Sequence, residues 1–183
     1  LREFSFAYKQ DAWKNRVFNQ DYRELIKRLS KSGDLSKVKL IYIDPPYTTA
    51  QYSRYYHIPE TLVKYDYPPI TLHPQSHNPV KGKYRTDRHQ SEFSQIQGAE
   101  IAFREMFNLL SCGTKATLAI SYSDNSIIHP IDKLVALASK KYIVDGVSNG
   151  YIHSAQGSKF IINGKGSREI HEHLLICTPR PKK

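Results

Sequence analysis

Cysteine is scarce in this chain. Cys112 and Cys177 are the two in 183 residues, far apart and without the spacing of a redox or metal pair. That excludes a disulfide framework and fits a reducing cytoplasm. No apolar run approaches the roughly 18 residues that a bilayer-spanning helix needs, and no signal-peptide pattern is present. Glycine is missing from residues 2–18, and the late glycines Gly146, Gly150, Gly157, Gly164 and Gly166 open no helix. Acidic residues are in deficit: 17 Asp and Glu face 27 Lys and Arg, a net charge of +10. What is plentiful is tyrosine, thirteen of them, together with eight histidines. A basic, aromatic-rich chain suits a polyanionic partner with surfaces for stacking. The bland alternative is a protein kept soluble by its charge. Apolar residues at 39% and charged residues at 24% are ordinary for one soluble globular domain, here residues 1–183.

Hydrophobic periodicity sets the expected elements. The segment 16–21 reads as a short strand, and 21–33 as a helix with Leu25, Ile26 and Leu29 on one face and Gly33 as its stop. Residues 37–44, "KVKLIYID", read as a buried strand ended by Pro45 and Pro46. Residues 64–90 are irregular, with four prolines and five Lys or Arg against two Asp. A connection of that length is usually functional or disordered. A helix is expected over 91–113, opened by Ser91, with Ile101, Phe103, Met106, Phe107 and Leu110 on its apolar side. A buried strand over 114–124, a helix over 129–141 with Pro130 in its first turn, and strands over 141–154 and 169–179 follow. Buried strands alternating with helices predict an α/β fold on a mostly parallel sheet. Ligands in such sheets bind beyond the carboxyl ends of the strands, where Asp44 and the segment from Ser121 to Asp124 lie.

The turn "DPPY", Asp44 to Tyr47, has a specific chemistry open to it. Two prolines fix φ and remove two backbone donors, so the local carbonyls point where the turn aims them. Asp44 and the Pro45 carbonyl can then accept both hydrogens of one NH2 group. In adenine that nitrogen's lone pair is delocalised into the ring. Two acceptors out of the ring plane favour a pyramidal nitrogen able to attack a sulfonium methyl in line, and the carboxylate stabilises the developing positive charge. Tyr47 offers a face for an extruded base. The alternative is a proline-rich turn in which Asp44 merely caps the chain.

The stretch "IYIDPPYTTAQYSRYYHIPETL" resembles the catalytic motif region of bacterial N6-adenine DNA methyltransferases of the restriction-modification class. "NQDYRELI", "SEFS…GAEIAF", "LAISYSDNSII" and "NGYIH" extend the resemblance from about residue 16 to about 178. It implies an S-adenosylmethionine-dependent, Rossmann-like methyltransferase fold, duplex DNA as partner and a bacterial cytoplasmic location. It further implies that Asp44, Pro45, Pro46 and Tyr47 are catalytic and that Asp21 and Asp44 meet the cofactor. Tyr47 and Tyr151 would hold the target base, with no metal needed. Lys81, Lys83, Arg85 and Arg88 are the candidates for phosphate contact, a solvated loop being the alternative.

The departure from the family is the Gly-containing loop that cradles the cofactor, which has no counterpart before Asp44. With 16–21 as the third strand and 37–44 as the fourth, two central strands would be missing and the catalytic strand would expose an edge. The chain, whose first residue is Leu1, is therefore expected to be a C-terminal catalytic portion. An upstream segment, a second polypeptide or a rearranged homodimer would supply the cofactor half. The rival readings are an RNA amino-methyltransferase and a non-catalytic DNA-binding or regulatory remnant. His171 and His173 alternate on a strand as metal ligands can, but an exposed strand face explains them as well.

Overall fold

The computed structural model describes residues 16–153 and 168–181. Helix α1, Tyr22–Lys31, starts where the Asp21 carboxylate accepts the Arg23 backbone N–H at 2.8 Å. It stops before Gly33, whose φ of 77° is left-handed and strained for any residue with a Cβ. One further turn, α2 (Asp34–Lys37), buries Leu35 and leads into β1, Leu40–Ile43. Two short helices, α3 (Tyr52–Tyr55) and α4 (His57–Lys64), follow the proline turn. Beyond the loop comes a 3-10 turn at Glu92–Ser94, then α5 (Ala99–Gly113), β2 (Thr117–Ser123), α6 (Ile131–Ser139), β3 (Tyr142–His153) and β4 (Arg168–Pro179).

The sheet order is β1-β2-β4-β3. Strands β1 and β2 are parallel, joined by a crossover that contains α5, with Ile41 beside Leu118 and Ile43 beside Ile120. The other two pairings are antiparallel. The mostly parallel sheet expected from the sequence is thus a mixed one among the described residues.

Alternation along the strands puts Ile41, Ile43, Leu118, Ile120, Tyr122, Leu175, Cys177 and Val144 on one face. Helices α5 and α6 cover that face with Phe103, Phe107, Leu110, Leu134 and Ala138, all buried. Tyr22 and Ile26 of α1 pack on the same cluster. On the opposite face Leu40 (60%), Tyr42 (61%) and Val147 (59%) stay exposed.

Four expectations are corrected. Residues 16–21 form no strand: Val17 is 97% exposed, and Asp21 is a helix cap rather than a strand end. Strand β1 is not buried: among the described residues it lies at the sheet edge, half open on one face. The helix over 91–113 starts at Ala99, and Ile101 lies outward while Ala99 and Ala102 take its place in the core. Pro130 caps α6 rather than sitting in its first turn. The loop 64–90 folds back on itself through the antiparallel bridges Ile70 to Arg85 and Leu72 to Pro79.

Candidate active site

Because β1 and β2 run in parallel and in register, their carboxyl ends lie side by side. Asp44 leaves the first and Ser121, Tyr122 and Ser123 close the second, so the juxtaposition expected from the sequence is present. The Asp44 side chain is exposed while Pro45 behind it is buried. The turn is therefore anchored by its first proline, with its acid turned outward. A backbone bond ties the turn to the segment after β2: the Tyr47 carbonyl accepts the Ile127 N–H at 2.8 Å. The Tyr47 ring meets Tyr122 edge to face, centroids 6.2 Å apart at 76°. Tyr122 in turn packs against Phe103 at 5.5 Å, so the turn's aromatic residue rests on the core.

The electrostatics of this rim are negative. Burial pushes the Tyr47 phenol above its ordinary pKa, and the charges of Glu172 and Asp44 push it further, with Tyr52 contributing between them. Glu172 stands on β4 opposite Ser123. Asp124, just beyond β2, lies 3.4 Å from the His171 Nδ1, and its N–H donates to the His171 carbonyl at 3.0 Å. Asp44 and Asp124 thus follow the carboxyl ends of β1 and β2, with Glu172 on β4 beside the end of β2, a setting suited to an amino group or a cation. Glu172 went unnoticed in the sequence, where the flanking histidines at 171 and 173 drew attention instead. The signal was its register on the strand, which needs the partner strand to be known. Among the described residues no group of three His, Cys, Asp or Glu side chains is arranged to hold a metal.

The turn's exit is held by a residue pair that sequence reasoning missed. Gln51 is buried, and its amide both accepts the Ser91 N–H at 2.8 Å and donates to the Ser91 carbonyl at 3.2 Å. A glutamine followed by "YSRYYH" carries no such signal by itself.

Other expected site residues fare differently. Asp21 caps α1 and lies 3.3 Å from Arg23, which is also bonded to Glu92 and Glu105. No hydrogen bond or ion pair links Asp21 to Asp44 among the described residues. Tyr151 belongs to β3, paired with Ile170, and its side chain is outside those described. Lys81 and Lys83 are exposed and Arg88 is half-buried. Arg85 is a correction. It is 2% exposed, and its guanidinium is shared between Asp66, at 2.7 Å from both oxygens, and Asp87, at 2.9 and 3.0 Å. A guanidinium already neutralised by two carboxylates holds the loop together and is not available to a phosphate.

For an S-adenosyl cofactor, the described residues fit the acceptor side, with an outward carboxylate at a strand end. They show no glycine-rich loop opening a helix beside β1, so the adenosine and methionine parts lack a cradle among them.

Comparison with known proteins agrees with this partial picture. No family model matches the chain. It is 33% identical over 161 residues to the modification methylase LlaI of Lactococcus lactis subsp. lactis, covering 85% of this chain and 23% of that protein. It is 23% identical over 177 residues to the modification methylase StsI of Streptococcus sanguinis, which is 96% of this chain and 24% of the relative. Over 56 residues it is 43% identical to the type II methyltransferase M.FokI of Planomicrobium okeanokoites, 31% of this chain and 8% of the relative. The chain is thus similar to modification methylases and spans about a quarter of the length of the first two of them.

Proposed function

We propose that this chain carries the acceptor half of a restriction-modification DNA methyltransferase site, acting on N6 of adenine after the base leaves the duplex. The observation that carries the reading is the outward Asp44 carboxylate at the end of β1, on a turn anchored by buried Pro45 and backed by Tyr47. An NH2 group donates one hydrogen to Asp44 and the other to the Pro45 carbonyl. The nitrogen becomes pyramidal, and Asp44 stabilises the positive charge that grows on it. Tyr47, only half-buried, stacks on the extruded base. Tyr151, on β3, is the second residue assigned to the base, and Lys81, Lys83 and Arg88 contact phosphates. S-adenosylmethionine supplies an electrophilic methyl when bound. Asp44 faces that donor, and Asp21 is the residue assigned to its adenine. The rest of the donor's cradle comes from an upstream segment, a second polypeptide or a second copy. Among the described residues β1 has no partner on its outer edge, and this and the exposure of Leu40 and Tyr42 favour that division.

The test is transfer of labelled methyl from S-adenosylmethionine to mixed-sequence duplex DNA, with the modified nucleoside identified by chromatography. It is run on the chain alone and with polypeptide corresponding to the remainder of the relatives. Label is expected in N6-methyladenine when the remainder is supplied. Asp44→Ala is expected to lower transfer by about 100-fold to 1,000-fold or more. Label in cytosine, or full transfer by Asp44→Ala, would overturn the reading.

A further inference from the structure

The loop 64–90 reaches back to the helices behind the proline turn through one aromatic ring. The Arg54 guanidinium carbon lies 5.0 Å from the Tyr84 ring centroid, and that of Arg88 lies 5.9 Å from the same centroid. The His57 ring meets Tyr84 edge to face at 5.1 Å. His57 Nδ1 donates to the Arg54 carbonyl at 2.8 Å, which leaves Nε2 as the ring's second polar atom. The ring's seat is made by Gly82, since any Cβ there would collide with the Tyr84 ring. Lys83, between the two, holds a left-handed φ of 47°, one of four such non-glycine residues between 65 and 83.

Two guanidinium groups around one ring repel each other unless an acid lies between them. The comparable pair around Phe18, Arg16 and Arg28, has one in Asp34, and Arg23, Arg85 and Arg104 have acids of their own, while Arg28 itself and Arg180 have none among the described residues. Arg54 and Arg88 have no carboxylate partner among the described residues, and the buried Nη1 of Arg88 has no hydrogen-bond partner there. Arg54 is exposed and Arg88 half-buried, so an anion from outside the chain can reach this pair. Exposed Lys81 and Lys83 flank the group on the same loop, which favours a chain of phosphates over a single small anion.

We propose that Arg54 and Arg88, oriented by Tyr84 and His57, grip one backbone phosphate of the nucleic-acid strand beside the extruded base. Arginine suits this because its planar fork can bond a phosphate at two points. Arg54 is also close to the acceptor turn along the chain, on α3, the first helix after Tyr47. The assignment rests on the DNA reading above and adds to it a positioning role for Arg54 and His57.

The experiment measures binding of a fluorescent duplex across a salt series, with the melting temperature of each variant recorded. Arg54→Gln and Arg88→Gln are each expected to weaken binding. The double variant should lower the slope of log affinity against log salt by about one in total, as for one shared phosphate. Lys133→Gln, on α6, should change nothing. A fall of about two in the double variant would place the arginines on separate phosphates and overturn the shared grip. Unchanged binding by both single variants, with the wild type bound, would overturn the grip and leave the DNA reading standing. A wild type that binds no duplex even at low salt would overturn both. If the Gln variants unfold, Arg54→Lys and Arg88→Lys decide. They keep the charge and lose the fork, so weaker binding at an unchanged slope is expected, and wild-type affinity would overturn the proposal.

Discussion

The side-chain amide of Gln51 pairs with the backbone of Ser91 as a neighbouring strand would, accepting its N–H at 2.8 Å and donating to its carbonyl at 3.2 Å. Forty residues of chain, including α3, α4 and the basic loop, are closed by this one contact. Gln51 is 8% exposed, so breaking it strands buried polar groups rather than handing them to water. Gln51→Leu is expected to cost about 1–3 kcal/mol in urea unfolding. Gln51→Glu keeps an acceptor and loses the donor, so it should destabilise as well. An unfolding curve for Gln51→Leu that overlays the wild type would show that the loop closes without the pair.

The loop itself is set by Arg85. Hydrogen bonds from its guanidinium hold the Asp66 and Asp87 carboxyls below their ordinary value of 3.8. A lowered carboxyl pKa stabilises the folded state above that ordinary value and loses the contribution as pH falls below it. Thermal unfolding of the wild type and of an Asp66→Asn, Asp87→Asn double variant should therefore differ at neutral pH. The two curves should converge as pH falls below 3.8. A gap that persists unchanged into acid would mean that the carboxylates act through shape rather than charge. Arg85→Met should free the loop at every pH, seen as faster protease cleavage between 64 and 90.

Tyr142 carries a polar group that the fold does not use. Its ring is 1% exposed and packs 6.1 Å from Phe107, yet its hydroxyl is buried without a hydrogen-bond partner among the described residues. Burial pushes that phenol well above the ordinary tyrosine range. Removing an unsatisfied buried hydroxyl removes a desolvation penalty while keeping the ring. Tyr142→Phe is expected to leave stability unchanged or raise it by about 1 kcal/mol, read from urea midpoints. A clear loss would reveal a partner for the hydroxyl.

The acceptor turn was legible in the sequence because its signals are local. An apolar run ends in Asp44, and Pro45 and Pro46 stop the strand wherever it lies in the sheet. Helices α5 and α6 and strands β2 and β4 were legible for a related reason, since each buries a regular face, although α5 starts later than its pattern suggests. The misreadings came from properties that depend on partners. Val17 and Phe18 look like strand residues, but a strand needs a neighbour to pair with, and composition does not supply one. Strand β1 reads as buried because Leu40 and Tyr42 are apolar, although at the sheet edge both are more than half exposed. Arg85 counts as a positive charge in the sequence and is neutralised by Asp66, nineteen residues away. Helices α3 and α4 are too short, at four and eight residues, for periodicity to rise above their tyrosines.

Tyr22 joins the first helix to the core, and its titration is a probe of that junction. Its hydroxyl donates to the Ala102 carbonyl at 3.2 Å, and its ring lies 5.6 Å from Phe93. Burial pushes its pKa up to about 12 from the ordinary 10.0, with Glu105, Glu92 and Asp21 adding to the rise and Arg23 opposing it. A raised pKa means that the folded state holds its proton more tightly than the unfolded chain does. The associated stability is fully present below pH 10.0 and is lost as pH rises toward about 12. Urea midpoints should accordingly fall across that window, and Tyr22→Phe should flatten the fall. Other buried phenols, Tyr122 and Tyr142, are shifted the same way, so some slope must remain. At neutral pH the same variant loses one half-buried hydrogen bond, worth about 0.5–1.5 kcal/mol. The two effects separate on the pH axis. A constant offset with the wild-type slope would mean that Tyr22 only bonds, whereas a slope that flattens above pH 10.0 would mean that its buried proton holds α1 against α5.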